Sequence, residues 1–145
     1  ILPKREDRHM DIQTMNKKII EEFRANNGKV GGPFAGGNLL ILTTRGAKTG
    51  LTRVNPLAYL ADGDRIIIIA SYAGAPSSPP WYHNLVASPE VGVEVGTENF
   101  QATARVVDEP DRTQLYDQMA AAMPAFKDYQ EKTSRVIPVI ALTRN

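Results

Sequence analysis

The stretch that decides the fold is Arg53-Val54-Asn55-Pro56-Leu57-Ala58-Tyr59-Leu60-Ala61-Asp62-Gly63-Asp64-Arg65-Ile66-Ile67-Ile68-Ile69-Ala70-Ser71. Arg53–Ala61 reads as a strand, Asp62-Gly63-Asp64 carries the Asp-Gly hairpin signal, and Arg65–Ser71 is a second strand. Its four consecutive isoleucines suit a strand buried on both faces or set in a barrel wall. No helix separates the two strands. A doubly wound parallel sheet needs a helix after nearly every strand, so this hairpin points to an antiparallel sheet.

Upstream, Leu39–Thr44 is apolar and β-branched, and the turn Gly46–Gly50 joins it to Arg53. Gly31-Gly32-Pro33 and Gly36-Gly37 predict a loop before it. Met15, Ile19, Ile20 and Phe23 recur at helical spacing, and Asn27-Gly28 ends that helix. Bases on its polar face leave two readings open: packing on its own domain, or contact with a membrane surface.

Downstream, Gly74–Pro80 is a loop, and Trp81–Ala87 is a short helix begun after Pro79-Pro80 and stopped by Pro89. Glu90–Val95 and Phe100–Val107 alternate as strands. Glu109-Pro110-Asp111 starts a helix to Met123, Pro124 breaks it, and Ala125–Arg135 is a further short helix before a closing strand, Val136–Leu142. The expected fold is mainly β with helices (α+β). Six or so largely antiparallel strands close into a small barrel, with an N-terminal helix and helices before the last strand. At 145 residues the chain is one domain, residues 1–145. Residues 1–10, with the junction-like His9-Met10, are set aside as tag-derived or disordered.

Composition removes whole classes of chemistry. The absence of cysteine excludes disulfides, thiolate catalysis and Cys-ligated metals. His83 has no second ligand at helical spacing, so no metal is expected. No Gly-x-Ser-x-Gly elbow supports a nucleophilic triad, and Glu90, Glu94 and Glu98 read as a solvated strand face. The longest apolar run, Ile66–Ala70, cannot span a bilayer. With no signal-peptide pattern at its start, a cytoplasmic protein is expected.

Charge is more telling. The net value is only +1, yet residues 23–61 hold Arg24, Lys29, Arg45, Lys48 and Arg53 and no acid at all. Such a surface concentrates anions. Nucleic acid fits poorly, because the pI is near 8.2 and no aromatics interleave with the bases. A small phosphorylated or carboxylated ligand fits better. In Arg45-Gly46-Ala47-Lys48-Thr49-Gly50, glycines let backbone amides face an anion while Lys48, Thr49 and Arg53 add cations and a hydroxyl. An ordinary basic hairpin turn gives the same sequence. Ala70–Pro76, with small residues after a strand, admits a flat ring or is a plain loop. Trp81-Tyr82-His83-Asn84-Leu85 supplies two aromatics and an amide, or a satellite apolar cluster.

Taken together, these segments resemble the deazaflavin (F420)-dependent nitroreductase family, F420H2-dependent quinone reductase-like actinobacterial proteins. The resemblance rests on Leu40–Gly50 with Arg53, Pro56-Leu57, Ala70-Ser71 and Gly74-Ala75-Pro76. It continues through Pro80–Leu85, Ser88–Val91, Tyr129-Gln130 and Ile137-Pro138-Val139. It implies a split β-barrel that binds coenzyme F420 in a groove. Ala47, Lys48, Thr49 and Arg53 would hold the phosphate and oligoglutamate tail. Pro56, Leu57, Ala58, Ile69, Ala70, Ser71, Tyr72, Pro80, Trp81, Tyr82, His83 and Asn84 would meet the deazaflavin. Met123, Phe126 and Tyr129 occupy the places of a substrate-side tyrosine cluster. Ser71 and Tyr129 become the expected catalytic residues.

The expected activity is hydride transfer from reduced F420 to an electrophile: a quinone, an enone or other activated alkene, or a nitro compound. Rival readings are an FMN oxidoreductase on a similar barrel, a non-catalytic module binding F420 or a lipid, and a membrane-surface adaptor using the Met15–Phe23 helix. The expected assembly is a monomer or weak homodimer.

Overall fold

The computed structural model describes residues 5–31 and 37–145, with the side chains of the first helix from Gln13 onward. The glycine loop read around Gly32–Gly36 lies outside the described residues, as do residues 1–4.

Among the described residues seven strands form one sheet in which every pairing is antiparallel. They are β1 (Leu39–Arg45), β2 (Thr52–Ala58), β3 (Leu60–Asp62), β4 (Arg65–Ile69), β5 (Glu90–Val95), β6 (Glu98–Val106) and β7 (Val139–Arg144). Their order is β2-β1-β5-β6-β7-β4-β3. The two edge strands, β2 and β3, are consecutive in the chain and separated only by Tyr59. That single step carries the polypeptide from one edge of the sheet to the other, so the sheet curls into a split β-barrel.

The seventh strand comes from a break in the predicted strand Arg53–Ala61. Tyr59 turns its amide to the Asn38 carbonyl at 3.2 Å and leaves the ladder. The Asp62-Gly63-Asp64 turn forms as read: Asp62 faces Arg65 in register and accepts from its guanidinium at 2.6 Å. The isoleucine run is indeed buried on both faces. Ile66 and Ile68 point to one apolar cluster, Ile67 and Ile69 to another.

Among the described residues four α-helices cover this sheet: α1 (Arg5–Ala25), α2 (Pro80–Ala87), α3 (Asp111–Ala122) and α4 (Ala125–Glu131). The first begins well before the residues the sequence assigned to it, with residues 5–10 already helical. Helix α2 plugs the barrel with Trp81 and Leu85 against Leu40, Leu42, Val91, Val93 and Ile140. Helices α3 and α4 cover the outside of β4 and β7 through Leu115, Tyr116, Met119 and Phe126. Phe23 of α1 is buried on Leu39 and Ile41, with Ile19 and Ile20 beside it. Each fully buried side chain of this size contributes roughly 1.5–3 kcal/mol.

Three boundaries move for local reasons. The closing strand begins at Val139, not Val136, because the Ile137 carbonyl accepts from Arg112 and the Pro138 carbonyl from the Ala70 amide. Helix α3 begins at Asp111, where the Glu109 carboxylate accepts from the Thr113 amide and hydroxyl. Those bonds hold the Glu109 carboxyl below its ordinary range. Helix α4 stops at Glu131, and Arg135 folds back onto the segment that follows β4.

Candidate functional site

The register of β1 with β2 builds the site from the turn upward. Thr44 faces Arg53 across the ladder, so both lie on the inward side. The turn between them is closed by two backbone bonds, Gly46 N to Leu51 O at 2.7 Å and Gly50 N to Gly46 O at 2.8 Å. Thr49 Oγ1 accepts from the Leu51 amide at 3.2 Å. Asn84, buried on α2, ties this turn to the helix. Its Oδ1 accepts from the Ala47 amide at 3.0 Å, and its Nδ2 donates to Thr44 Oγ1 at 3.2 Å.

A cavity of about 420 Å³ opens at this junction, lined by Gly46, Ala47, Lys48, Thr49, Arg53, Ser78, Pro80, His83 and Asn84. No carboxylate lines it. Lys48 and Arg53 have no ion-pair partner among the described residues, whose three salt bridges all lie elsewhere. The amides of Lys48 and Thr49 have no acceptor among the described residues either. Two cations, a threonine hydroxyl, free turn amides and the first turn of a helix therefore converge on one hollow. That donor set fits a phosphate- or carboxylate-bearing ligand.

A second cavity, about 750 Å³, adjoins the first and shares Arg53 and Pro80 with it. Its walls are α1 (Gln13, Asn16, Lys17, Ile20, Glu21, Arg24), Val54 and Asn55 of β2, and Trp81. Arg24 is committed there to Glu94, with bonds of 2.8 and 3.0 Å.

The sequence-predicted residues thus divide. Ala47, Lys48, Thr49, Arg53, Pro80, His83 and Asn84 come together around the smaller cavity, and Trp81 reaches the larger. Asn84 holds the turn with both ends of its amide and stands as a strut in the wall. Leu57, Ala70, Trp81 and Tyr82 belong to the inner apolar cluster. Ala58, Ile69, Met123, Phe126 and Tyr129 belong to the cluster under α3 and α4. Phe126 is buried there, its ring edge-on to Tyr129 at 5.4 Å. Pro56 faces Ile41, away from the inner cluster, and Tyr72 is exposed. Ser71 is buried where β4 leaves the sheet, next to a 3₁₀ turn, Tyr72–Gly74, that packs on α4. Neither cavity is lined by Ser71, Met123, Phe126 or Tyr129.

Sequence reasoning missed one polar network. Arg112 donates to the Ile137 carbonyl at 2.8 and 3.0 Å and to Gln130 Oε1 at 2.7 Å, while Gln130 Nε2 donates to the Arg135 carbonyl at 2.8 Å. Arg135 in turn donates to the segment after β4. Arginines in a polar sequence read as solvated charges, and the partners here lie as many as 65 residues away. Among the described residues no group of three histidines or carboxylates could hold a metal.

Comparison with known proteins identifies the family. A family model described as F420H(2)-dependent quinone reductase matches residues 15–144. An F420H(2)-dependent quinone reductase of Mycobacterium tuberculosis is 41% identical over 143 residues, which cover 95% of each chain. The solved structure of an F420-H2 dependent reductase superposes with a TM-score of 0.66 and 34% identity, over 72% of this chain and 92% of that one. Another, described as a domain-swapped dimer, gives 0.69 and 30% over 92% and 98%. Matched along nearly its whole length, the chain belongs to the F420H(2)-dependent quinone reductase family and is an F420H2-dependent oxidoreductase.

Proposed function

We propose that this protein reduces quinones, and related electrophiles such as enones, activated alkenes or nitro compounds, with reduced F420. The observation that carries the reading is the cavity in which, among the described residues, Lys48 and Arg53 stand unpaired beside free turn amides and no carboxylate. The coenzyme's own part, when bound, is to supply the hydride.

The chain's residues do the rest. Lys48, Thr49 and Arg53 hold the anionic tail. Asn84 keeps the turn in place through Ala47 and Thr44. Leu57, Trp81 and Tyr82 offer an apolar wall, and Ser71 offers a hydroxyl at the end of β4. Met123, Phe126 and Tyr129 shape the substrate side, where the half-buried Tyr129 phenol or solvent delivers the proton that completes a hydroquinone.

A peripheral membrane contact through α1 has less support, since Ile19, Ile20 and Phe23 pack on the protein's own strands. No described helix is long and apolar enough to cross a membrane. A cytoplasmic setting and a monomeric or weakly dimeric state complete the proposal; α1 closing on its own sheet suits a monomer.

The test is direct. Purified protein should bind F420 in a fluorescence titration and should oxidise F420H2 only when a naphthoquinone or another member of an electrophile panel is added. Binding of FMN instead of F420 favours the flavin alternative. F420 binding without turnover on any electrophile favours a sequestering module.

A further inference from the structure

We propose that Arg135 is a positioning residue, one guanidinium that fixes the spacing between the anion-holding end of the site and its reacting end. The proposal rests on the F420H2-dependent reading above.

Arg135 has no carboxylate partner among the described residues. Its donors go to the single segment that runs from β4 to α2. Nη2 donates to the carbonyls of Ala70 (3.2 Å) and Ser71 (2.9 Å), Nε to that of Ala75 (2.9 Å), and Nη1 to Ser78 Oγ (3.1 Å). These acceptors flank three consecutive residues with left-handed backbone: Tyr72 (φ 48°), Ala73 (φ 54°) and Gly74 (φ 80°). Two of the three carry side chains, and such a turn persists only where its surroundings over-determine it. Arg135 braces it from both sides. A planar guanidinium with fixed donor directions can do this; an ammonium on a flexible stem cannot reach all four acceptors at once.

The braced segment joins the two halves of the site. Ser78 lines the cavity with Lys48 and Arg53. Ser71 is the proposed reacting-end hydroxyl. Gly74 lies so close to α4 that a Cβ built there would sit 2.9 Å from the Tyr129 carbonyl oxygen. Arg135 is itself held: Gln130 donates to its carbonyl, and Arg112 fixes Gln130 from α3. A run of hydrogen bonds thus reaches from α3 to the segment carrying Ser71 and Ser78.

Arg135→Lys and Arg135→Ala test this, the lysine variant keeping the charge and most of the stem. Three readouts are needed: kcat per coenzyme-binding site with F420H2 and a naphthoquinone, F420 affinity by fluorescence, and amide exchange at Gly74 and Ala75. Those two amides donate to Ser71 and Tyr72 within the turn. The expected result is a kcat lower by roughly 10–100-fold in both variants, as small misplacements of reacting groups produce. Coenzyme affinity should change far less, and exchange at Gly74 and Ala75 should accelerate. A kcat equal to that of the parent overturns the proposal, whether or not exchange changes, because a merely structural brace moves exchange and thermal stability alone. If the parent itself does not oxidise F420H2, the functional reading fails. The exchange data then decide separately whether Arg135 holds the turn.

Discussion

Asn84 Oδ1 accepts the Ala47 amide at 3.0 Å, and through that bond α2 sets the position of the turn that presents Lys48. The same side chain donates to Thr44 beside Arg53. The geometry of the cationic hollow therefore depends on a buried, uncharged amide.

Asn84→Ala should leave the Ala47 amide and the Thr44 hydroxyl without their partner, at a cost of about 1–3 kcal/mol. Urea denaturation measures that loss, and an F420 titration should show weaker binding because the turn is no longer fixed. A variant with parental stability and affinity contradicts the strut role.

Two glycines with left-handed backbone should respond differently to alanine. Gly63 (φ 58°) has nothing within 4 Å of an added Cβ. Gly63→Ala should therefore cost only the conformational term, about 1–2 kcal/mol. Gly74 has φ 80°, and an added Cβ would lie 2.9 Å from Tyr129 O and 3.0 Å from Lys132 Cβ. Gly74→Ala should lose about 1–3 kcal/mol beyond the Gly63 variant. Equal midpoints in denaturant would show that the turn and α4 do not pack as described.

Burial raises the Tyr116 phenol above its ordinary value of 10.0, despite the opposing pull of nearby Arg112. Its hydroxyl donates to the Phe126 carbonyl. Because the folded state holds this proton more tightly, the stabilisation is complete below the unfolded value. It is lost as pH rises through the folded one. Stability should therefore fall above about pH 10, more steeply in the parent than in Tyr116→Phe. The variant should also lose roughly 0.5–1.5 kcal/mol at neutral pH, the net worth of the hydrogen bond to the Phe126 carbonyl. Denaturation curves at neutral pH and above pH 10 check both effects.

Helix α1 is held by a core residue and by a surface ion pair of very different worth. Phe23 is 2% exposed against Leu39 and Ile41, and Phe23→Ala should cost about 3–5 kcal/mol. The Arg24 side chain is 52% exposed in its pair with Glu94, so Glu94→Gln should cost under about 1 kcal/mol, and less in high salt. A reversal of that order in thermal melts would mean that charge, not packing, docks the helix.

Much of this was legible in the chain. The Asp-Gly turn and the isoleucine run carry their geometry locally, in turn chemistry and in a pattern that tolerates no polar face. The acid-free stretch marked the hollow because charge clusters persist through folding. What stayed hidden is non-local. Tyr59 is an ordinary strand residue by pattern, and only closure of the sheet makes it a corner. Arg135 and Gln130 read as polar helix residues, since their acceptors come from other parts of the chain. Phe126 and Ile69 pack in the cluster beneath α4, with Met123 and Tyr129 at its margin. Apolar character alone does not distinguish a wall from a core.

The role proposed for Lys48 and Arg53 is to hold the anionic tail of the coenzyme. The most direct measurement is a fluorescence titration of F420 into the parent and into the double variant Lys48→Ala, Arg53→Ala, with folding verified by circular dichroism. The expected result is a loss of roughly 1.5–3 kcal/mol in binding for each charge-assisted hydrogen bond removed. A folded double variant that binds F420 as tightly as the parent contradicts it.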